Sequence, residues 1–235
     1  TVKKTDKSDI PFKEKLLLTP TPINYTEDEG IFVSLADFNY VEMDTYGKGF
    51  STGYHKMDAY VQPQKTNLMI IAGRPSDGKS TLMLAQALEN AKNGIKSLFI
   101  SLEMTKGQIY RRVMNWYKNR EVSSSEYKEI EKEPEYIELS KNINFMINKS
   151  SNAATILDLM KESIRIHGTE AIYLDYLQLA SYPHMGEWES LRALTTNLKR
   201  FATSNDVLMV ACTQVSRDSV TYGITLDKMF GSASI

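Results

Sequence analysis

The segment 73-GRPSDGKS-80 constrains this chain more than any other stretch of its sequence. It has the spacing Gly-x-x-x-x-Gly-Lys-Ser. It follows the apolar run 68-LMIIA-72 and opens into the helix-forming run 82-LMLAQALENA-91. A strand, a glycine-rich turn and a helix in that order make a phosphate cradle. Gly73 and Gly78 let backbone N–H groups curl toward phosphate oxygens without interference from a Cβ. The helix N-terminus adds its partial positive charge. Lys79 places a point charge against the β- and γ-phosphates, and Ser80 offers a hydroxyl to Mg²⁺. The run Gly73, Arg74, Pro75, Ser76, Asp77, Gly78, Lys79, Ser80 and Thr81 is therefore expected to hold a nucleotide by its phosphates. At ordinary glycine usage of ~7%, chance would reproduce the spacing in roughly one chain in a hundred. The flanking strand and helix make chance rarer still.

The rest of the chain repeats this alternation. Strands are expected over 68–72, 97–102, 143–147, 171–174 and 207–213, and helices over 79–92, 106–118, 124–132, 153–167 and 188–204. The strands show little polar alternation, as a sheet covered on both faces requires. Strands separated by helices imply right-handed crossovers. The expected fold is α/β, a mostly parallel central sheet with helices on both faces, over residues 50–235. Residues 1–49 differ: Pro11, Pro20 and Pro22 interrupt them and 26-TEDEG-30 is a charged turn. They read as an arm with weak structure of its own, ordering against a partner.

Composition removes several classes. At 42% hydrophobic and 24% charged residues, the chain is neither disordered nor fibrous. Its longest apolar runs, such as 68–72 and 207–212, fall far short of the ~20 residues of a membrane span, so no membrane partner is expected. The lone Cys212 cannot close an internal disulfide, which points to a reducing cytoplasm. A net charge of −1 excludes coating nucleic acid through bulk positive charge, and leaves open a grip by a few loops. His55, His167 and His184 have no metal-ligand spacing. Met69, Met83, Met104, Met160 and Met209 fall on apolar faces as core fillers, and 126-EYKEIEKEPEYIE-138 reads as a solvated face or helical insertion.

Two carboxylates close other expected strands: Glu103 after 98-LFISLE-103 and Asp175 after 171-AIYLD-175. Ligands of open α/β sheets bind at that edge. Asp175 suits Mg²⁺, held through the metal's water, and Glu103 suits orienting or deprotonating the attacking water. Either acid alone would as readily be a helix cap or a solvated loop residue. Gln214 closes 207-VLMVACT-213, where an amide could bond a γ-phosphate.

With these residues in place, the chain resembles the RecA-like ATPase domain of DnaB-type replicative hexameric helicases, including related phage enzymes. The resemblance covers roughly residues 50–235 and rests on motifs in order: 52-TGYHKMD-58, 72-AGRPSDGKST-81, 101-SLEM-104, 104-MTKGQIYRR-112 with Arg112, 174-LDYLQL-179, 191-LRALTTNLKRFATSNDV-207, 211-ACTQVSR-217 and 232-SASI-235. General recombinases share the phosphate loop and the two acids but lack the Arg-Pro-Ser and Ser-Leu-Glu-Met combination. The resemblance implies a P-loop NTPase fold and a homo-oligomer, usually a six-membered ring, that moves along single-stranded DNA on ATP hydrolysis, with a primase or loader as further partner. It assigns Lys79, Ser80, Glu103, Asp175 and Gln214 the roles above. It places DNA contact on loops near 180–188 and 216–230, with Arg217 and Lys228 for phosphate, Tyr222 for stacking and backbone N–H groups near Gly223. The family's trans-acting arginine is expected beyond Ile235. A recombination or signalling ATPase without unwinding activity, and a non-catalytic assembly module, remain as alternatives.

Overall fold

The structure, a computed structural model, describes residues 49–147 and 150–215. The arm (but for Gly49), the 216–230 loop with Arg217, Tyr222, Gly223 and Lys228, and the 232–235 motif lie outside the described residues.

Five strands form one parallel sheet: β1 (Leu68–Gly73), β2 (Ser97–Ser101), β3 (Ile143–Ile147), β4 (Ala171–Asp175) and β5 (Leu208–Gln214), in spatial order β1-β5-β4-β2-β3. Each agrees with its sequence expectation to within a residue. The reason is visible in the packing. Side chains alternate across a strand, yet both sets here are apolar. Phe99, Tyr173, Val210 and Cys212 face one layer, with Met83, Leu84, Ala87 and Leu88 of α2 (Lys79–Lys92) and Ile109 and Val113 of α3 (Lys106–Lys118). Leu98, Ile100, Ile172, Leu174, Met209 and Ala211 face the other layer. That layer holds Ile156 and Met160 of α6 (Ala153–His167) and Leu194, Leu198 and Phe201 of α7 (Glu187–Asn205). Met83, Met104, Met160 and Met209 are buried and Met69 packs partly buried against the first layer.

The connection between α3 and β3 departs from expectation. One helix was expected over 124–132. Instead a 3-10 turn (Ser124–Glu126) leads into a single turn, α4 (Tyr127–Ile130), and a separate α5 spans Pro134–Lys141. Proline explains the break. Its ring pushes the preceding residue out of the helical region, and Glu133 is extended at φ −67, ψ 130. Pro134 then starts α5 at a position where no N–H is required. The acidic run is solvated on one side only. Ile130 and Leu139 are buried, and Tyr127 and Tyr136 pack edge-on against Tyr110 and Tyr117 at 5.2 and 5.3 Å.

The segment before β1 clasps α2. Ser51 N–H donates to Asn90 Oδ1, and Asn90 Nδ2 donates to Ser51 O and to the buried Tyr173 hydroxyl, at 2.9, 2.9 and 3.0 Å. Asp58, ending the one-turn helix α1 (His55–Asp58), accepts from Ser51 Oγ and from Thr52 N at 2.7 and 2.6 Å. Burial opposes the ionised Asp58 carboxylate, but the bonds from Thr52 and Ser51 outweigh it and hold its pKa below the usual range. Gly53, at φ +80, lies so close to α2 that a Cβ would sit 3.3 Å from the Gln86 backbone. The 52-TGYHKMD-58 motif is thus a folded strap tied to the phosphate-loop helix.

Candidate active site

Register brings the sheet's carboxyl ends together. Gly73 lies opposite Gln214, and Ser101 lies opposite Asp175. β5 and β4 are paired through Leu174 and Ala211, so the ends of β1, β5, β4 and β2 stand side by side. Each strand end therefore delivers its next side chain to one place.

The phosphate loop turns between β1 and α2. Gly78 precedes α2 at φ 86, ψ 12, and Ser76 is also left-handed at φ 67. The loop is braced from within: Arg74 N donates to Asp77 Oδ2 at 2.8 Å, and Lys79 Nζ donates to Arg74 O at 2.7 Å. At Gly73 a Cβ would press on the Lys79 stem, 3.2 Å from its Cγ, so what favours glycine there is space rather than φ. Gly78 has open space around it and needs glycine for its conformation.

A cleft of about 440 Å³ opens over this loop, lined by Pro75, Ser76, Gly78, Lys79, Ser80, Thr81, Glu103, Arg112, Asp175, Tyr176 and Gln214. All five residues singled out from sequence as chemical (Lys79, Ser80, Glu103, Asp175 and Gln214) line this one cleft. Gly73, Arg74 and Asp77 stand behind it and shape the loop. Glu103 is exposed in the turn after β2.

Asp175 is fully buried. Its Oδ1 accepts from Ser80 Oγ at 3.0 Å, and its Oδ2 has no hydrogen-bond partner. Burial raises its pKa; the Ser80 bond works against this, and the Glu103 charge adds to it. A buried carboxylate oxygen without a partner, next to a serine hydroxyl, is a donor set that suits a hard divalent cation. The peptide between Asp175 and Tyr176 is cis. Burial also raises the pKa of the Tyr176 hydroxyl, with the charges of Glu103 and Asp175 adding to it.

Three residues gain places here that the sequence did not assign. Arg112 on α3 reaches the mouth of the phosphate loop, its Nη1 donating to Thr81 Oγ1 at 3.1 Å. α3 begins in a capping box between Thr105 and Gln108, and Arg112 falls one turn beyond Gln108 on the same face. That spacing was the readable signal. Tyr176 lines the cleft directly after Asp175, and Gln178 bonds to the end of β5. The 180–188 loop, expected to face DNA, follows β4 and presents exposed Met185 and Trp188.

Residues 49–222, well over half of the chain, match the family described as the DnaB-like helicase C-terminal domain. The chain belongs to this family. Among curated relatives, a probable plasmid replicative DNA helicase of Chlamydia psittaci is 29% identical over 186 residues, 73% of this chain and 40% of that protein. A probable replicative DNA helicase of Trieres chinensis is 26% identical over 219 residues, covering 83% of this chain and 47% of that protein. The chain spans less than half the length of these relatives. Solved structures of similar fold include an ATPase domain at TM-score 0.65 and 22% identity, covering 81% of this chain and 74% of that one. Another is a DnaB-like replicative helicase studied for its interactions with primase, at TM-score 0.66 and 24% identity, covering 81% of this chain and 51% of that one. This DnaB-like domain has the RecA-like fold of those proteins. No helix among its described residues is long and apolar enough to cross a membrane.

Proposed function

We propose that this domain is the ATP-driven motor of a replicative DNA helicase, which moves along single-stranded DNA as a ring of identical subunits, six in number, and unwinds duplex. The observation that supports it most is the single cleft where Lys79, Ser80, Glu103, Asp175 and Gln214 meet at the carboxyl edge of the sheet. Residues 73–81 hold the triphosphate through backbone N–H groups, and Lys79 neutralises the β- and γ-phosphates. Ser80 and Asp175 would hold Mg²⁺, which when bound neutralises charge developing on the phosphates. Glu103 takes a proton from the attacking water or orients it, and Gln214 bonds the γ-phosphate. Arg217, Tyr222, Gly223 and Lys228, outside the described residues, supply DNA contact. A primase or a loader is the further partner, and the site of action is the cytoplasm of a bacterial cell or of a phage-infected host.

Glu103→Gln and Lys79→Ala test this reading. Glu103→Gln is expected to bind ATP with near-parental affinity and to hydrolyse it ~10²-fold more slowly, the scale of a lost general base. Lys79→Ala is expected to lose affinity for the triphosphate. Both should fail to displace a strand from a forked duplex that the parent unwinds. Parental hydrolysis by Glu103→Gln would remove that residue from the reaction. ATPase activity in a parent unable to separate a fork would favour the recombination-type alternative.

A further inference from the structure

β4 and β5 end at different heights. Pairing between them reaches Leu174 opposite Ala211, β4 stops at Asp175, and the chain turns away through a 3-10 turn at Leu177–Leu179. β5 runs on to Gln214. On its far side β5 stays paired with β1, where Val215 N donates to Gly73 O at 3.2 Å. In a parallel ladder the N–H and C=O of one residue point to the same side, and neighbouring residues alternate. Because Val215 bonds toward β1, the N–H and C=O of Gln214 point to the side that β4 has vacated.

The side chain of Gln178 fills that place. Its Nε2 donates to Gln214 O at 2.9 Å and to Thr213 Oγ1 at 2.9 Å, while its Oε1 accepts from Gln214 N at 3.3 Å. A carboxamide offers the same donor and acceptor as a peptide unit. Here it stands in for the next residue of β4 and satisfies both backbone groups of Gln214. Reversing the amide would set its oxygen against Gln214 O, so the bonding fixes its orientation. The same 3-10 turn follows Asp175 by only two residues. Gln178 therefore ties the strand end that bears the cation-binding acid to the strand end that bears Gln214.

We infer that Gln178 is a positioning residue for the nucleotide site. It sets the backbone of Gln214, and so the direction of the Gln214 side chain, without itself lining the cleft. The inference rests on the reading that Gln214 meets the γ-phosphate. A side chain misplaced by about 1 Å can lower a rate by ~10²-fold, so a few tenths of an ångström at Gln214 would be felt.

The test is a double-mutant cycle on the full-length protein with Gln178→Met, Gln214→Ala and both together. Two quantities are read: kcat for ATP, and the ratio of ADP to non-hydrolysable ATP-analogue dissociation constants. Gln178→Met should lower both roughly 10-fold, leave ADP affinity within about twofold, and add nothing further in the Gln214→Ala background. Gln178→Glu keeps the Oε1 acceptor and loses both donors; it should behave like Gln178→Met, and it serves where the methionine variant does not fold. Parental values in either Gln178 variant would overturn the inference. So would an equal loss in both backgrounds, which would mark a general loosening of the sheet end. A Gln214→Ala variant indistinguishable from the parent would also overturn it. Analogue binding by Lys79→Ala reports separately on the nucleotide-binding reading, which fails if that variant binds like the parent.

Discussion

Asp175 is held where the fold alone would not keep a carboxylate. It is fully buried, one oxygen bonds to Ser80, and the other has no partner. Burial raises its pKa above the unfolded value, so the folded chain holds this proton more tightly than the unfolded one. The associated stability is present below the ordinary carboxylate pKa of about 4 and is lost as pH rises through the raised folded value. When ionised at neutral pH the group therefore works against folding, while the proposed role in holding Mg²⁺ calls for the ionised form. Asp175→Asn removes the charge and keeps the shape. Its melting temperature at pH 7 is expected to exceed that of the parent, by about 2–4 °C for each kcal/mol relieved in a chain of this size. The gap should close as pH is lowered toward 4. Mg²⁺-dependent hydrolysis should fall by roughly 100-fold or more with the lost charge stabilisation. Differential scanning calorimetry across pH, beside steady-state ATPase, measures both; a variant less stable than the parent at pH 7 would show that Asp175 is held by interactions stronger than its burial penalty.

At the level of elements, the strap before β1 depends on one close approach. Gly53 and Gly94 both have positive φ, +80 and +85, but only Gly53 faces backbone: a Cβ there would lie 3.3 Å from Gln86, while at Gly94 nothing lies within 4 Å. Alanine at either position suffers the left-handed penalty of roughly 1–2 kcal/mol. At Gly53, α2 or the strap must also shift, adding on the order of 1 kcal/mol. Urea unfolding midpoints should therefore rank parent, Gly94→Ala, Gly53→Ala; equal losses in the two variants would mean that the strap yields without resisting. The strap also shows what sequence pattern alone does not encode. Long apolar runs bounded by polar turns gave β1 to β5 within a residue, because burial on both faces leaves that pattern whatever the strand order. α1 is four residues long, too short for a helical period to show. α5 is hidden in the sequence because its starting Pro134 stands inside an acidic run, where proline reads as a break. Glu103 and Asp175 were legible as carboxylates closing apolar strands. The face that carries Arg112 is legible from its spacing to Gln108, but its place beside Thr81 is not, nor is that of Gln178 beside Gln214, since these pairs become neighbours only through the order β1-β5-β4-β2 and the packing of α3 on α2.

For the whole molecule, charge limits how DNA can be held. The chain has 28 Lys and Arg against 29 Asp and Glu. Among the described residues many cations are already matched locally: Arg111 with Glu121, Lys118 with Glu133, Arg120 with Glu126 and Arg165 with Glu162, at 2.5–2.6 Å. The exposed pairs among these add at most ~1 kcal/mol each to stability, but all of them cancel the field that would attract a polyanion. A single subunit is thus expected to hold single-stranded DNA weakly. Under the proposed function, useful affinity is expected to come from a few contacts repeated around a ring, where each further contact is made at high effective concentration. Nucleotide bound at the cleft is expected to favour that assembly. The consequence is a linked behaviour: binding of a fluorescent oligothymidylate should require a non-hydrolysable ATP analogue and should sharpen with protein concentration. The log–log slope against salt should be about −0.7 per phosphate neutralised, summed over subunits. Lys79→Ala should weaken DNA binding as well as nucleotide binding, although Lys79 lies in the nucleotide cleft. Fluorescence anisotropy between 50 and 200 mM salt, a range over which ~6–10 phosphate contacts on a single strand would change affinity by ~10²- to 10⁴-fold, reads each of these outcomes. Tight binding by a monomer without nucleotide and with little salt dependence would place the DNA grip in one subunit and remove the need for a ring.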